Sequence, residues 1–240
     1  MKINITFTFL LLFQFAFAQS GITIQYEQVS IPTFPKSEGS GGAQIDAQLK
    51  QALARPTFYE LKIKDQQSFY SKIDPIDNSQ GLKVVYASGI FARNLLLDFN
   101  QNLSKREWEV NHKKYIVTDT IVTHHYELTR EKGMMLGYEV KKAIINFEAM
   151  KTEVWYAPAL PSKFGPSTYT NLPGLVLKVV STYKEEDEPR FTLNATSIEL
   201  KDDQNLNSLF KGKEISAQEF KAIEKEYERR LSEDVGISKN

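Results

Sequence analysis

The strongest constraint on how this chain folds is a rhythm. From Gly21 to Leu200, runs of β-branched and aromatic residues alternate with polar ones, and turn chemistry breaks them every ten or so residues. Little helical periodicity lies between. Successive strands must then pair with their sequence neighbours, which predicts a mainly β fold built on an antiparallel sheet. The pattern places strands at Gly21–Val29, across Thr57–Tyr70 as two short strands or one bent one, and at Leu82–Ala87, Ala92–Phe99, Leu103–Val110, Lys114–Asp119 and His124–Thr129. More follow at Gly137–Phe147, Met150–Tyr156, Gly174–Tyr183 and Arg190–Leu200. Asn111–Lys113 is short enough for a hairpin. The Lys-Glu-Glu-Asp-Glu-Pro run after Tyr183 reads as a solvated hairpin loop.

The ends of the chain depart from that rhythm. Met1–Ala18 carries one charge, Lys2, then a Phe- and Leu-rich stretch, and closes on Ala16-Phe17-Ala18. This three-part pattern predicts a signal peptide cleaved before Gln19. Asn4, Thr6, Thr8 and Gln14 make it too polar for a spanning helix, which needs about 20 apolar residues. Residues 19–212 are expected to form the β domain. A flexible insertion near 36–55 would contain the Ser37–Gly42 loop and a short helix at Ile45–Leu53. Asp74-Pro75 and Asn78–Gly81 are turn chemistry. A C-terminal helix is expected over 213–231 and a frayed tail over 232–240. Ser216-Ala217-Gln218-Glu219 is a capping box, and Ala217, Phe220, Ile223, Tyr227 and Leu231 share one stripe that would dock on the sheet. The expected whole is a curved, half-barrel-like sheet with this helix packed on it.

Composition narrows the function. There is no cysteine, so disulfides, thiolate zinc sites, a cysteine nucleophile and a lipidated bacterial N-terminus are excluded. Thirty basic residues against thirty acidic ones leave no electrostatic footprint for nucleic acid. With 41% hydrophobic and 25% charged residues, the chain can bury a core. His124 and His125 are adjacent, and in a strand they would face opposite ways; His112 could join only one of them. No metal site and no cofactor are therefore expected. His-Glu-x-x-His, Gly-x-Ser-x-Gly and Gly-x-Gly-x-x-Gly patterns are all absent, so no catalytic residue is assigned.

The most informative stretch runs from Gly137 to Leu177. It contains Gly-Tyr-Glu-Val-Lys-Lys-Ala, Thr152-Glu-Val-Trp155-Tyr156-Ala-Pro158, Gly165-Pro166 and Asn171-Leu172-Pro173-Gly174-Leu175-Val176-Leu177. This resembles the GLPGLI family of exported proteins, common in Bacteroidota. Asn171 replaces the hexapeptide's first Gly and Val176 its final Ile, while Val140 stands where many members carry Cys. Asn tolerates the left-handed conformation that Gly favours, so the local turn can survive. The resemblance implies export to the periplasm or beyond and assigns no reaction. Leu172-Pro173-Gly174-Leu175 fits a type II turn, with Pro at its second position and Gly at its third. Trp155, Tyr156 and Tyr169 are either core residues, the expectation for Trp155, or the lining of a ligand groove.

The reading that follows is an exported, non-catalytic binding module of the cell envelope for an apolar or extended ligand. It would be no lipoprotein and have no integral membrane span after processing. The alternatives are an envelope assembly factor that works through strand edges and, behind it, a hydrolase. An open pocket would favour binding, and a filled core with free edges would favour assembly.

Overall fold

The computed structural model describes residues 21–31, 56–73, 90–200, 206, 210 and 212–234. The leader, the insertion with its loop and helix, the turns between residues 74 and 81, the strand at Leu82–Ala87 and most of the tail lie outside the described residues. The strands are β1 (Ile22–Ser30), β2 (Thr57–Lys64), β3 (Gln67–Ile73), β4 (Ile90–Asp98), β5 (Leu103–Val110) and β6 (Lys113–Thr120). Then come β7 (Glu127–Met135), β8 (Tyr138–Asn146), β9 (Met150–Ala157), β10 (Leu175–Tyr183), β11 (Phe191–Leu200), β12 (Lys213–Ser216) and the helix α1 (Ala217–Asp234). They form one sheet in the order β12–β6–β5–β4–β3–β2–β1–β11–β10–β9–β8–β7. Every pairing is antiparallel except β12 on β6, which is parallel.

Local chemistry sets the hairpins. Between β5 and β6, Asn111 and His112 have φ of 46° and 63°, the pair of positive values that a two-residue type I′ turn requires. Leu136 and Gly137 do the same between β7 and β8, at 49° and 82°. After β4, the Asp98 carboxylate accepts the amides of Asn100 and Gln101 at 2.9 and 3.1 Å, closing an Asx turn.

The sheet has to curl. Strands β6 and β7 stand ten positions apart in the sheet order, about 48 Å if flat at ~4.8 Å per strand. Only residues 121–126 connect them, and such a link reaches about 25 Å when fully extended. The geometry closes only if the sheet bends round toward its own far edge. The sheet is open and curved, with one helix packed on it among the described residues. The strand expected from His124 begins at Glu127, because this irregular link occupies 121–126.

One apolar cluster fills the inner face. It draws Ile24 and Tyr26 from β1, Leu61 from β2, Leu95 and Leu97 from β4, Val154 and Tyr156 from β9, and Leu175, Leu177 and Val179 from β10. Phe164 and Leu172, from the segment between β9 and β10, are buried among them. The opposite face of β3 and β4 is covered locally, where Phe69 and Leu96 pack on Leu206 and Phe210. The helix closes one end. Phe220 stacks on Trp108 with centroids 5.1 Å apart, and Ile223 and Tyr227 pack beside Val110 and Val117. Its capping box is made as the sequence indicates: the Glu219 carboxylate accepts the Ser216 amide at 2.8 Å, and the Ser216 hydroxyl accepts the Glu219 amide at 3.2 Å. Residues 213–216, expected to open the helix, instead form β12, and the helix runs to Asp234. No described helix is long and apolar enough to cross a membrane.

Candidate binding cleft

The motif segment between β9 and β10 is a plug laid across the inner face. Phe164 meets Phe99 at the end of β4 with centroids 4.6 Å apart, so the segment reaches the far side of the sheet. Gly165 is needed for this approach: a Cβ there would stand 2.2 Å from the Tyr169 carbonyl oxygen and 2.8 Å from the Val176 Cβ. Pro166 follows it, and its carbonyl accepts the Tyr169 amide at 3.2 Å. Asn171 takes φ of 67°, the left-handed conformation expected of it, and its amide donates to Lys163 at 2.7 Å. Leu172, Leu175 and Val176 are buried.

The expected type II turn is not formed. Gly174 has φ of 154°, far from the roughly +80° of that turn's third position. The Leu175 amide, which would close such a turn onto Leu172, donates to the Leu160 carbonyl at 3.0 Å. Glycine is needed at 174 for a different reason. A Cβ would lie 2.3 Å from the Ala157 oxygen, so Pro173-Gly174 lets two stretches of backbone touch where β9 ends and β10 begins.

The three aromatic residues do not share a surface. Trp155 and Tyr156 are successive in β9 and face opposite sides of the sheet. Tyr156 is in the inner core. Trp155 is half-buried on the other face, within 3.5 Å of where a Gly133 Cβ would lie, with the Lys142 ammonium 5.5 Å from its ring centre. That ammonium also meets Glu131 at 2.5 Å and Glu153 at 3.5 Å. Trp155 thus packs half-buried against the core cluster, beside Val140, and is not a neighbour of Tyr169. Tyr169 instead stacks on His124 at 5.8 Å, and Tyr126 and Phe147 meet that imidazole edge-on. His124 Nε2 lies 3.1 Å from the Thr168 hydroxyl, and burial pushes its pKa below 6.5. His112 lies in the β5–β6 turn, 3.8 Å from Glu109, and His125 is exposed. Among the described residues, no three His, Asp or Glu side chains gather as a metal-ligand set.

One groove, of about 390 Å³, stays open beside the plug at Ile22, Ile63 and Phe164. Where the plug ends and α1 begins, a cleft of about 220 Å³ opens over β4, β5 and β6. Leu95, Leu97, Ile121 and Val122 form its apolar side; Trp108 and Phe220 close it toward the helix; Ser104, Thr120 and Thr168 supply hydroxyls. Arg106 reaches into it. Its guanidinium stands 5.9 Å from the Trp108 ring centre. Burial lowers the Arg106 pKa, and the nearby Tyr70 phenol partly opposes this. Tyr70 itself stacks on Tyr59 at 5.0 Å and is raised well above 10 by burial and by the neighbouring Tyr59, Tyr26 and Tyr169. A second, shallower groove of about 680 Å³ runs along the far side of α1, past Tyr115, Tyr227 and Arg230. The sequence carried a signal for the cleft in the alternation of Ser104, Arg106, Trp108 and Val110, which puts an arginine beside a tryptophan and a valine on one strand face.

Comparison with known proteins agrees with this fold. No curated protein matches the chain in sequence. Among solved structures, PNGF-II in its C2 crystal form superposes with a TM-score of 0.56 at 18% identity, over 87% of this chain and 33% of that one. In its P21 form the values are 0.56 and 21%, over 85% and 33%. The chain thus spans about a third of the length of these structures, and at such identity the likeness is one of fold. A LolA superfamily protein from Nitrosomonas europaea, 8% identical over 78% of this chain and 89% of its own, scores 0.30, too low to support a shared fold. The family model for the N-glycanase peptide, N-terminal domain, matches residues 95–223, which run from the middle of β4 into α1 and include every strand that lines the cleft. With more than half of its residues matched, the chain belongs to the family of N-glycanase peptide N-terminal domains.

Proposed function

We propose that this protein is an exported, non-catalytic binding module that takes an apolar or extended ligand in the cleft beside α1. The observation that carries the reading is the cleft itself, an apolar wall faced by hydroxyls, by Arg106 and Lys221 and by the carboxylates of Asp119 and Glu224. The family supports it, since the matched domain stands at the N-terminus of an N-glycanase, and in such a protein a domain of this kind would present or hold the substrate for chemistry done elsewhere. The GLPGLI pattern supports the same exported setting, periplasmic or extracellular, with a leader removed before Gln19. The test is native mass spectrometry of protein purified from its own envelope. An adduct on the wild type that is lost from Ser104→Phe, which fills the cleft, is the expected result. A wild type without adduct, or a variant that keeps it, rules the cleft out.

Assembly through a strand edge is the second reading. Strand β7 ends the sheet, with Leu128 61% and Met134 69% exposed. Against it stand the register shift between Leu128 and Lys132 and the charges Arg130, Glu131 and Lys132 within it. Bulges and charges are how edge strands avoid pairing with another chain, so the cleft is preferred.

A further inference from the structure

We infer that Arg106 is the anchor for an anionic group, so that the cleft takes a molecule with an acidic head, a carboxylate or a phosphate monoester, and a short apolar body. This deepens the binding-module reading and rests on it.

The argument begins with what a guanidinium needs. It cannot escape burial by losing its proton at any ordinary pH, and its five N–H donors need acceptors. Buried cations are accordingly matched with carboxylates or anionic ligands. Arg106 is half-buried, yet among the described residues it makes no ion pair and no hydrogen bond. Its contacts are the Trp108 ring and the Tyr70 phenol, neither of which neutralises it. Other cations of the sheet are treated differently: Lys142 is held by Glu131 and Glu153, Arg93 by Glu109, Lys105 by Glu214. Two carboxylates line the cleft, and Lys221 on α1 is a second cation there. Asp119 accepts the amide and hydroxyl of its neighbour Thr120, and Glu224 lies on the helix; neither is within ion-pair distance of Arg106 among the described residues. The lowered Arg106 pKa points the same way, since burial disfavours the charge that no partner offsets.

The surroundings set the rest of the ligand. An anion beside Arg106 would lie among the side chains of Ser104, Thr120, Thr168, Leu95 and Leu97. The three hydroxyls already bond the Asp119 and Thr120 carbonyls, the Asp119 carboxylate and His124, so the guanidinium supplies the free donors. Trp108 already stacks on Phe220 and has the Arg106 guanidinium over its ring, so it is a wall of the site rather than a free stacking platform. The space suits a chain of a few carbons.

The test uses the full mature chain and three probes of equal length: hexanoate, hexyl phosphate and hexan-1-ol. Binding is followed by NMR through the Arg106 Nε–H and Trp108 indole N–H signals. The acids are expected to shift both signals and to bind about tenfold or more tighter than the alcohol, the size of a charge-assisted hydrogen bond. The ratio of hexanoate to hexyl phosphate affinity tells which head the site prefers. Arg106→Met should abolish the difference between acid and alcohol and leave alcohol binding intact; Arg106→Lys should keep part of it. If the alcohol binds the wild type as well as the acids do, the anchor is refuted while the binding module stands. If no probe binds, both fail. If Arg106→Met lowers the thermal midpoint markedly in the absence of any probe, a carboxylate of this chain is the partner and the proposal is overturned; should that variant not fold, Arg106→Lys with unchanged acid affinity decides against it equally.

Discussion

At Gly174 the constraint is contact, not turn type, and this changes what a substitution does. A Cβ there meets the Ala157 carbonyl oxygen at 2.3 Å and the Pro158 Cα at 2.8 Å, both parts of rigid backbone. Gly174→Ala is therefore expected to cost about 2 kcal/mol or more, and Gly174→Val at least as much, because φ of 154° disfavours any side chain as well. Urea titration of the two variants checks this; a wild-type midpoint for either would mean the backbones are not in contact. Asn171 offers the contrasting case. Its φ of 67° is left-handed but its side chain meets no such barrier, so Asn171→Gly should change stability by less than about 1 kcal/mol while Asn171→Val loses ~1–2 kcal/mol. Trp155 belongs between these. It covers Val140 and Gly133 on the sheet's outer face and is half-buried, so Trp155→Ala should cost about 2 kcal/mol, below the ~3–5 kcal/mol of a fully enclosed indole.

The link 121–126 and the plug between β9 and β10 meet at His124, and this junction is where stability depends on pH. His124 packs against Tyr169, Tyr126 and Phe147, and burial holds its pKa below 6.5. The unfolded chain therefore binds the proton more readily than the folded one. The stability His124 contributes is fully present above about pH 6.5 and is lost as pH falls from there through its lower folded value. His124→Gln should remove that dependence: the difference in unfolding free energy between wild type and variant, followed from pH 7.5 to 5, should shrink as the solution is acidified, and a constant difference would contradict it. The same junction shows what sequence could and could not give. Alternation located most strands because each strand carries its own pattern of inward and outward residues. It placed a strand at His124 because the apolar and aromatic spacing continues through Tyr126, whereas the chain there is crossing from β6 to the far edge of the sheet, a demand of topology that no local pattern records. Strand β12 escaped for the same reason, since its partner β6 lies about a hundred residues earlier in the chain. Ser216 and Glu219 were legible because a capping box is complete within four residues. The cleft needed both kinds of information: Arg106 and Trp108 sit on one strand, but only the fold shows that plug and helix leave them uncovered.

The whole sheet is open, so it has two edges, and they are handled differently. The β12 edge is four residues long and continues directly into α1, which packs beside it. The β7 edge is nine residues long and uncovered among the described residues. A flat, apolar edge of that length would recruit another copy, because its unpaired amides and carbonyls are a template for a further strand. Here the register shifts between Leu128 and Lys132, and Arg130, Glu131 and Lys132 occupy the shifted stretch, flanked by exposed Leu128 and Met134. The charges therefore stand between two apolar residues that would otherwise read as one adhesive strip. In an antiparallel pairing of two copies centred on Glu131, the two Glu131 side chains would face each other and Arg130 would face Lys132, both like-charge contacts. Replacing Arg130 and Lys132 together by Thr removes the second of these contacts and raises strand propensity while leaving Glu131 to hold Lys142. The double variant is expected to associate as its concentration rises, with the wild type showing no such dependence, and sedimentation velocity across a hundredfold range separates the two. A double variant with the same sedimentation coefficient as the wild type throughout would show that the Arg130 and Lys132 charges are not what keeps the edge free.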